Sequence, residues 1–256
     1  MKTLTLTISA ISLLWVGCSE TSTSGPTLSP DGSQSSSQEV SSSSVSTPVE
    51  ISSSSITIET PVASDSLLLW VVGSGTQVAT EGYWFGYDDE LNGGSSTWSC
   101  GGVKGTEGAD FEFCVDETTE EISVDFVTVA DVPNGVEVPF GFAGIGFNLG
   151  ADVEGVKDKV DLSAYTKLII EYVATEKIFM QMVFDEEAVE YDVHHVVLSA
   201  NETSKTILLK DFEQAGWGTS ADLLENLKVM TEIKFQAHTS NFSGEGKLNV
   251  KSIVLK

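Results

Sequence analysis

The chain has 256 residues and a formal net charge of -25, with 38 acidic residues against 13 basic ones, all of them lysine. So acidic a surface repels phosphate backbones, which excludes nucleic acid as a partner. The lack of arginine removes the usual bidentate clamp for phosphate or carboxylate, so a neutral ligand or a divalent cation suits this chain better, unless the acidity serves solubility alone.

Lys2 begins a short positive start, and residues 4–16 are mostly apolar. That stretch is shorter than the roughly 20 residues a spanning helix needs, so residues 1–17 read as a secretory signal peptide. Leu14-Trp15-Val16-Gly17-Cys18 resembles a lipobox, although Trp15 departs from the usual leucine. The resemblance implies acylation of Cys18, and Ser19 after it implies an outer-membrane, lipid-anchored and surface-exposed protein. The alternative is an ordinary cleaved signal and a periplasmic or secreted product. Cys18, Cys100 and Cys114 are the three cysteines, an odd number for an exported chain. Lipidating Cys18 leaves Cys100 and Cys114 to pair as a disulfide in an oxidising compartment, the alternative being two buried free thiols. Residues 18–64 carry serine runs at 35–37, 41–44 and 52–55 with scattered prolines. They read as a disordered linker, since they bury too little apolar surface to offset ordering entropy.

Residues 65–256 read as one domain. Runs of strand length and composition fall at 67–72, 111–115, 122–129, 143–149, 168–173, 178–184, 189–198, 205–209, 232–239 and 247–255, separated by Gly, Asn, Asp and Pro turn signals. Leu223, Leu224, Leu227 and Met230 follow Ser220 at helical spacing, which predicts a short helix over 220–229 with Ser220 as its cap. Many strands and one short helix predict an all-β fold, a β-sandwich or jelly roll.

Alternation predicts the faces. Ile233, Phe235 and Ala237 point one way, and Lys234, Gln236 and His238 the other. Tyr191, Val193, His195 and Val197 share one side, with Glu190, Asp192 and His194 opposite, while Gln181 lies with Phe179 and Val183. Several strands thus carry an apolar face for the core and a mixed polar face. The mixed face is either a groove or the solvated side of an antiparallel sheet.

The sequence holds no G-x-S-x-G, H-E-x-x-H, P-loop or C-x-x-C motif. Carboxylates are abundant, but glycoside hydrolysis needs two of them facing across a cleft, and abundance alone does not supply that. Tyr83, Trp84, Phe85 and Tyr87 precede the Asp88-Asp89-Glu90-Leu91-Asn92 loop, and Trp217 lies between two glycines. Aromatic rings with planar polar side chains suit the apolar faces and hydroxyls of neutral sugars, although each tryptophan also reads as a core plug. Asp88 and Asn92 offer hard oxygen ligands for calcium, or simply an acidic turn.

The stretch 82–89 with Gly93-Gly94-Ser95-Ser96, the stretch 143–149 followed by 161–165, and Asp211-Phe212 leading to Gly216-Trp217-Gly218 resemble parts of jelly-roll carbohydrate-binding modules of family 11 and relatives. That resemblance implies a galactose-binding-like sandwich that holds β-glucan or a similar plant polysaccharide on one sheet without cleaving it. The family's binding arginine has no counterpart here, and the final strand lacks the Asp that accompanies structural calcium in related modules. The expected binding set is Tyr83, Tyr87, Gln181, Asp192, His194, Trp217, Gln236 and His238, with no catalytic residue and no obligatory cofactor. The alternatives are a structural or adhesion outer-membrane lipoprotein with a protein partner and, further off, a glycoside hydrolase.

Overall fold

The computed structural model describes residues 66–106, 111–130 and 140–256. The expected signal peptide, the expected lipidation at Cys18 and the expected serine-rich linker therefore lie outside the described residues. The strands are β1 (Leu67–Val71), β2 (Trp84–Asp88), β3 (Thr97–Cys100), β4 (Val103–Lys104), β5 (Ile122–Thr128), β6 (Phe142–Asn148), β7 (Asp152–Val153) and β8 (Val156–Lys157). They continue with β9 (Lys167–Ala174), β10 (Ile178–Val183), β11 (His194–Leu198), β12 (Ser204–Leu208), β13 (Glu232–His238) and β14 (Gly244–Leu255).

Two antiparallel sheets carry the fold. The back sheet runs β12-β9-β14-β5-β3-β4, with β1 also paired to β14. The front sheet runs β11-β10-β13-β6-β2, and β7 and β8 form a separate hairpin. Their inner faces meet in one core. From the front come Ile145, Phe147, Met180, Met182, Ile233 and Phe235; from the back come Val124, Phe126, Ile170, Tyr172, Leu248 and Val250. Trp70 of β1 meets Trp84 of β2 edge-on at 5.6 Å, and Trp84 lies against Phe147 at 4.8 Å. Trp98 of β3 packs where a side chain on Gly86 of β2 would collide with its ring. The period-2 alternation of buried residues drives this stacking, because each sheet has one apolar face to remove from water. The architecture is a jelly-roll β-sandwich with one short helix, as the strand pattern predicts.

Three local expectations are corrected. The run at 111–115 is a 3₁₀ turn, Glu112–Cys114, drawn to the back sheet by the Cys100–Cys114 disulfide. The run at 189–198 is a strand only over His194–Leu198; turns occupy the residues before it, with Glu190 and Tyr191 at φ of 53° and 65°. The helix α1 (Leu223–Asn226) is capped by Asp222, whose carboxylate accepts from the Leu224 N–H at 2.8 Å, so Ser220 is not its cap. A 3₁₀ turn follows at Leu227–Val229.

Candidate functional site

The outer face of the front sheet gathers aromatic and amide side chains in cross-strand rows. Tyr87, Gly144, Gln236, Phe179 and Val197 form one row. Phe85, Gly146, Lys234, Gln181 and His195 form the next. His238 pairs with Phe142 at one end of the face, and Asn148, Glu232 and Val183 line the other.

The glycines decide the relief. A Cβ on Gly144 would stand 2.4 Å from the Tyr87 ring, and one on Gly146 would stand 3.0 Å from Phe85. Both rings therefore lie down across β6, and the Tyr87 hydroxyl reaches over it to donate to Gln236 Oε1 at 3.2 Å. Burial holds the Tyr87 phenol well above its usual pKa, with Glu186 and Glu232 pushing the same way, so it stays a neutral donor. Phe85, Tyr87 and Phe142 form a chain of rings at 6.1 and 6.2 Å. Across the face, Phe179 touches His195 at 4.7 Å and His238 at 6.1 Å. Gln181, Gln236 and Lys234 lie between the two ring groups.

Lys234 is 8% exposed. Its ammonium bonds Glu186 at 2.8 Å and Glu232 at 3.2 Å, and stands 5.2 Å from the Tyr87 ring centre. Burial works against its charge, but Glu232 and Glu186 outweigh that and keep its pKa above the usual lysine value. Lys157 of β8 also pairs with Glu232 and faces the Phe85 ring. The two acids beside this face are thus both engaged by lysine.

Of the expected set, the structure brings Tyr87, Gln181, Gln236 and His238 together on this face. Tyr83, half-exposed just before β2, shares the parity of Phe85 and Tyr87. Asp192, His194 and Trp217 do not join them. His194 pairs with Met182 in the inward phase of β11. Its Nε2–H donates to the Ala221 carbonyl at 3.0 Å, its Nδ1 is buried without a partner, and burial lowers its pKa. The polar neighbour on the face is His195 instead; β11 lies at the edge of the sheet, where its inward phase is not uniformly apolar. Asp192 is buried beneath a loop and binds that loop's backbone, and Trp217 projects from it. Phe85, Phe142, Phe179, His195 and Lys234 are missing from the expected set. Their parity is legible in the sequence, but which parity faces outward depends on register between strands.

In the acidic loop the carboxylates bond backbone N–H groups. Asp88 accepts from the Glu90 N–H at 3.1 Å and closes its own turn. Asp89, fully buried, accepts from the N–H groups of Ser96 at 2.9 Å and Phe142 at 3.0 Å, pinning the loop to β6. Asn92 ends a 3₁₀ turn, Glu90–Asn92. Among the described residues no three His, Cys, Asp or Glu side chains are grouped to hold a metal.

Fold and face define a jelly-roll sandwich with one outer surface lined by rings and amides. No protein-family model matches the chain, and no curated protein does. Among solved structures it is similar to the family 11 carbohydrate-binding module from Clostridium thermocellum in complex with a β-1,3-1,4-mixed-linked tetrasaccharide, at 16% identity, TM-score 0.44, 74% of this chain and 94% of that one. A solution structure of the module CtCBM11 gives 17% identity, TM-score 0.44, and coverage of 76% and 96%. A mutant family 29 carbohydrate-binding module gives 12% identity, TM-score 0.35, and coverage of 74% and 83%.

Proposed function

We propose that this chain binds a neutral plant-type polysaccharide, β-glucan or similar, on the outer face of the front sheet and does not cleave it. The observation that carries this reading is the pair of ring groups, Phe85-Tyr87-Phe142 and His195-Phe179-His238, flanking Gln181 and Gln236. Rings offer flat apolar contact to the C–H faces of pyranoses, and amides both donate to and accept from hydroxyls. Aromatics positioned by glycines and packed neighbours lose little freedom on binding. The reading needs no metal. It includes acylation of Cys18 and display at the outer membrane on a serine-rich tether, which would let the sandwich search an insoluble surface.

Electrophoresis of the chain through gels containing β-glucan, xylan, mannan or no polysaccharide tests it. The expected result is retardation in the β-glucan gel. Equal mobility in all four gels, or release of reducing sugar, overturns it.

A further inference from the structure

The loops before β11 and before α1 form a second built surface. The Asp192 carboxylate, 2% exposed, accepts four backbone N–H bonds: Ala215 at 2.8 Å, Gly216 at 2.8 Å, Trp217 at 2.9 Å and Gly218 at 3.1 Å. Burial opposes its charge, but those four bonds hold its pKa below the usual value. The Gln214 amide ties the ends of the same loop, donating to the carbonyls of Asp192 at 2.7 Å and Thr219 at 2.9 Å and accepting from Ala221 N–H at 2.8 Å. Thr219 donates to Glu190 at 3.2 Å and so fastens this loop to the preceding one. Gly218 sits against the Val189 carbonyl, where a Cβ would approach to 2.3 Å.

Two aromatics stand out from this framework. Tyr191 and Trp217 are each 64% exposed. Tyr191 precedes Asp192 in the chain, and the Trp217 N–H bonds the Asp192 carboxylate. Glu190 and Tyr191 are consecutive non-glycine residues at positive φ, a conformation that residues other than glycine seldom adopt. Two clefts border these loops, and Tyr191 lines the first of them. One of about 500 Å³ is lined by Tyr191, Glu186, Glu187 and Lys157, together with Val183 and Glu232 from the end of the front face. The other, of about 650 Å³, passes Asp192, Gly216 and Gly218 to reach Lys210, Glu213 and Asp222.

We infer that Tyr191 and Trp217 form a second contact site for further sugar units of the same neutral polysaccharide, with Tyr191 in the cleft that continues the front face and Trp217 on the loop tied to Asp192 beside it. This rests on the binding function proposed above. Single flat rings set among Glu186, Glu187, Glu190, Glu213 and Asp222 suit a pyranose chain, whose hydroxyls can donate to carboxylates. Those acids repel an anionic polymer, and two isolated rings do not make the contiguous apolar patch of a protein interface. A loop held rigidly before binding also reduces the ordering cost of contact.

The test is calorimetry of the full chain with a soluble mixed-linkage β-glucan and with its tetrasaccharide. The Tyr191→Ala/Trp217→Ala double variant should lose about tenfold or more in affinity for the polymer, since a second linked contact multiplies affinity. It should keep tetrasaccharide affinity and melting temperature unchanged. Tyr191→Phe/Trp217→Phe should retain polymer affinity. Unchanged polymer affinity in the alanine variant overturns the inference, as does an equal loss for tetrasaccharide and polymer. If Gln181→Ala/Gln236→Ala removes tetrasaccharide binding while the loop variant binds polymer normally, this inference alone fails. If the unaltered chain binds neither probe, the proposed function fails with it.

Discussion

The two outer faces of the sandwich have the same strand geometry, but only one of them is lined with aromatic rings. On the back sheet, Asp125 faces Lys247 at 3.9 Å and Ser123 bonds Asn249 at 3.2 Å, with Thr97, Ser99, Glu171 and Thr206 around them. With the exposed aliphatic residues Leu68, Val127, Val173 and Leu208 on the same face, these are short, charged or aliphatic side chains, none of them aromatic. On the front sheet, the matching outward positions hold Phe85, Tyr87, Phe142, Phe179 and two histidines, half-buried against one another and against Gln181, Gln236 and Lys234. What sets the front face apart is its rings, two of which lie flat across β6 over the glycines at 144 and 146.

The largest effect expected is on the back side, and it should leave binding alone. Replacing Cys100 and Cys114 by serine opens a loop with a sequence separation of 14. That should lower unfolding free energy by about 3 kcal/mol. Denaturant titration measures the loss, and polysaccharide affinity at low temperature should be unchanged. A large loss of affinity there would break the separation of the faces.

On the front face, Tyr87→Ala combined with Phe179→Ala should weaken polysaccharide binding about 100-fold, or roughly 2.7 kcal/mol, while the fold persists. Calorimetry and far-ultraviolet circular dichroism read the two quantities. Gly144→Ala sharpens the point without removing any ring. The added Cβ displaces Tyr87, so affinity should fall about tenfold with stability nearly unchanged.

A pH series separates the inward and outward histidines. Burial lowers the pKa of both His194 and His238 from 6.5. The unfolded chain therefore takes up protons first, and stability should fall as pH drops from 6.5 toward the lowered folded-state values. Above 6.5 neither residue contributes a pH dependence. His194→Gln should flatten that fall through the stability curve alone, whereas His238→Gln should flatten it and also alter sugar affinity. The smallest effect belongs to the back face: Asp125→Ala or Lys247→Ala should change stability by less than about 0.5 kcal/mol and binding not at all.

The sequence was most legible where the core speaks through period 2. Ile233, Phe235 and Ala237 are buried and Gln236 and His238 face out, as alternation in β13 requires. It was least legible at β11, where His194 and His195 are adjacent and equally polar. Which one faces outward is set by pairing of Gln181 with His195 and of Met182 with His194, contacts with a strand more than ten residues away. The same holds for Asp89: as one acid in a row of three it carries no local mark, yet its carboxylate fixes both Ser96 and β6.

By itself, then, the sequence determined an all-β sandwich, a short helix late in the chain, the pairing of Cys100 with Cys114, and aromatics and amides on one polar phase. These follow from local periodicity, composition and cysteine count, which need no knowledge of distant neighbours. Only the tertiary structure decided that Phe85, Phe142, Phe179 and His195 join Tyr87, and that Asp192 and Trp217 stand apart on loops. The physical reason is register: side chains on one strand alternate by rule, but which strands lie side by side, and at what offset, is fixed by how two sheets bury their apolar faces together.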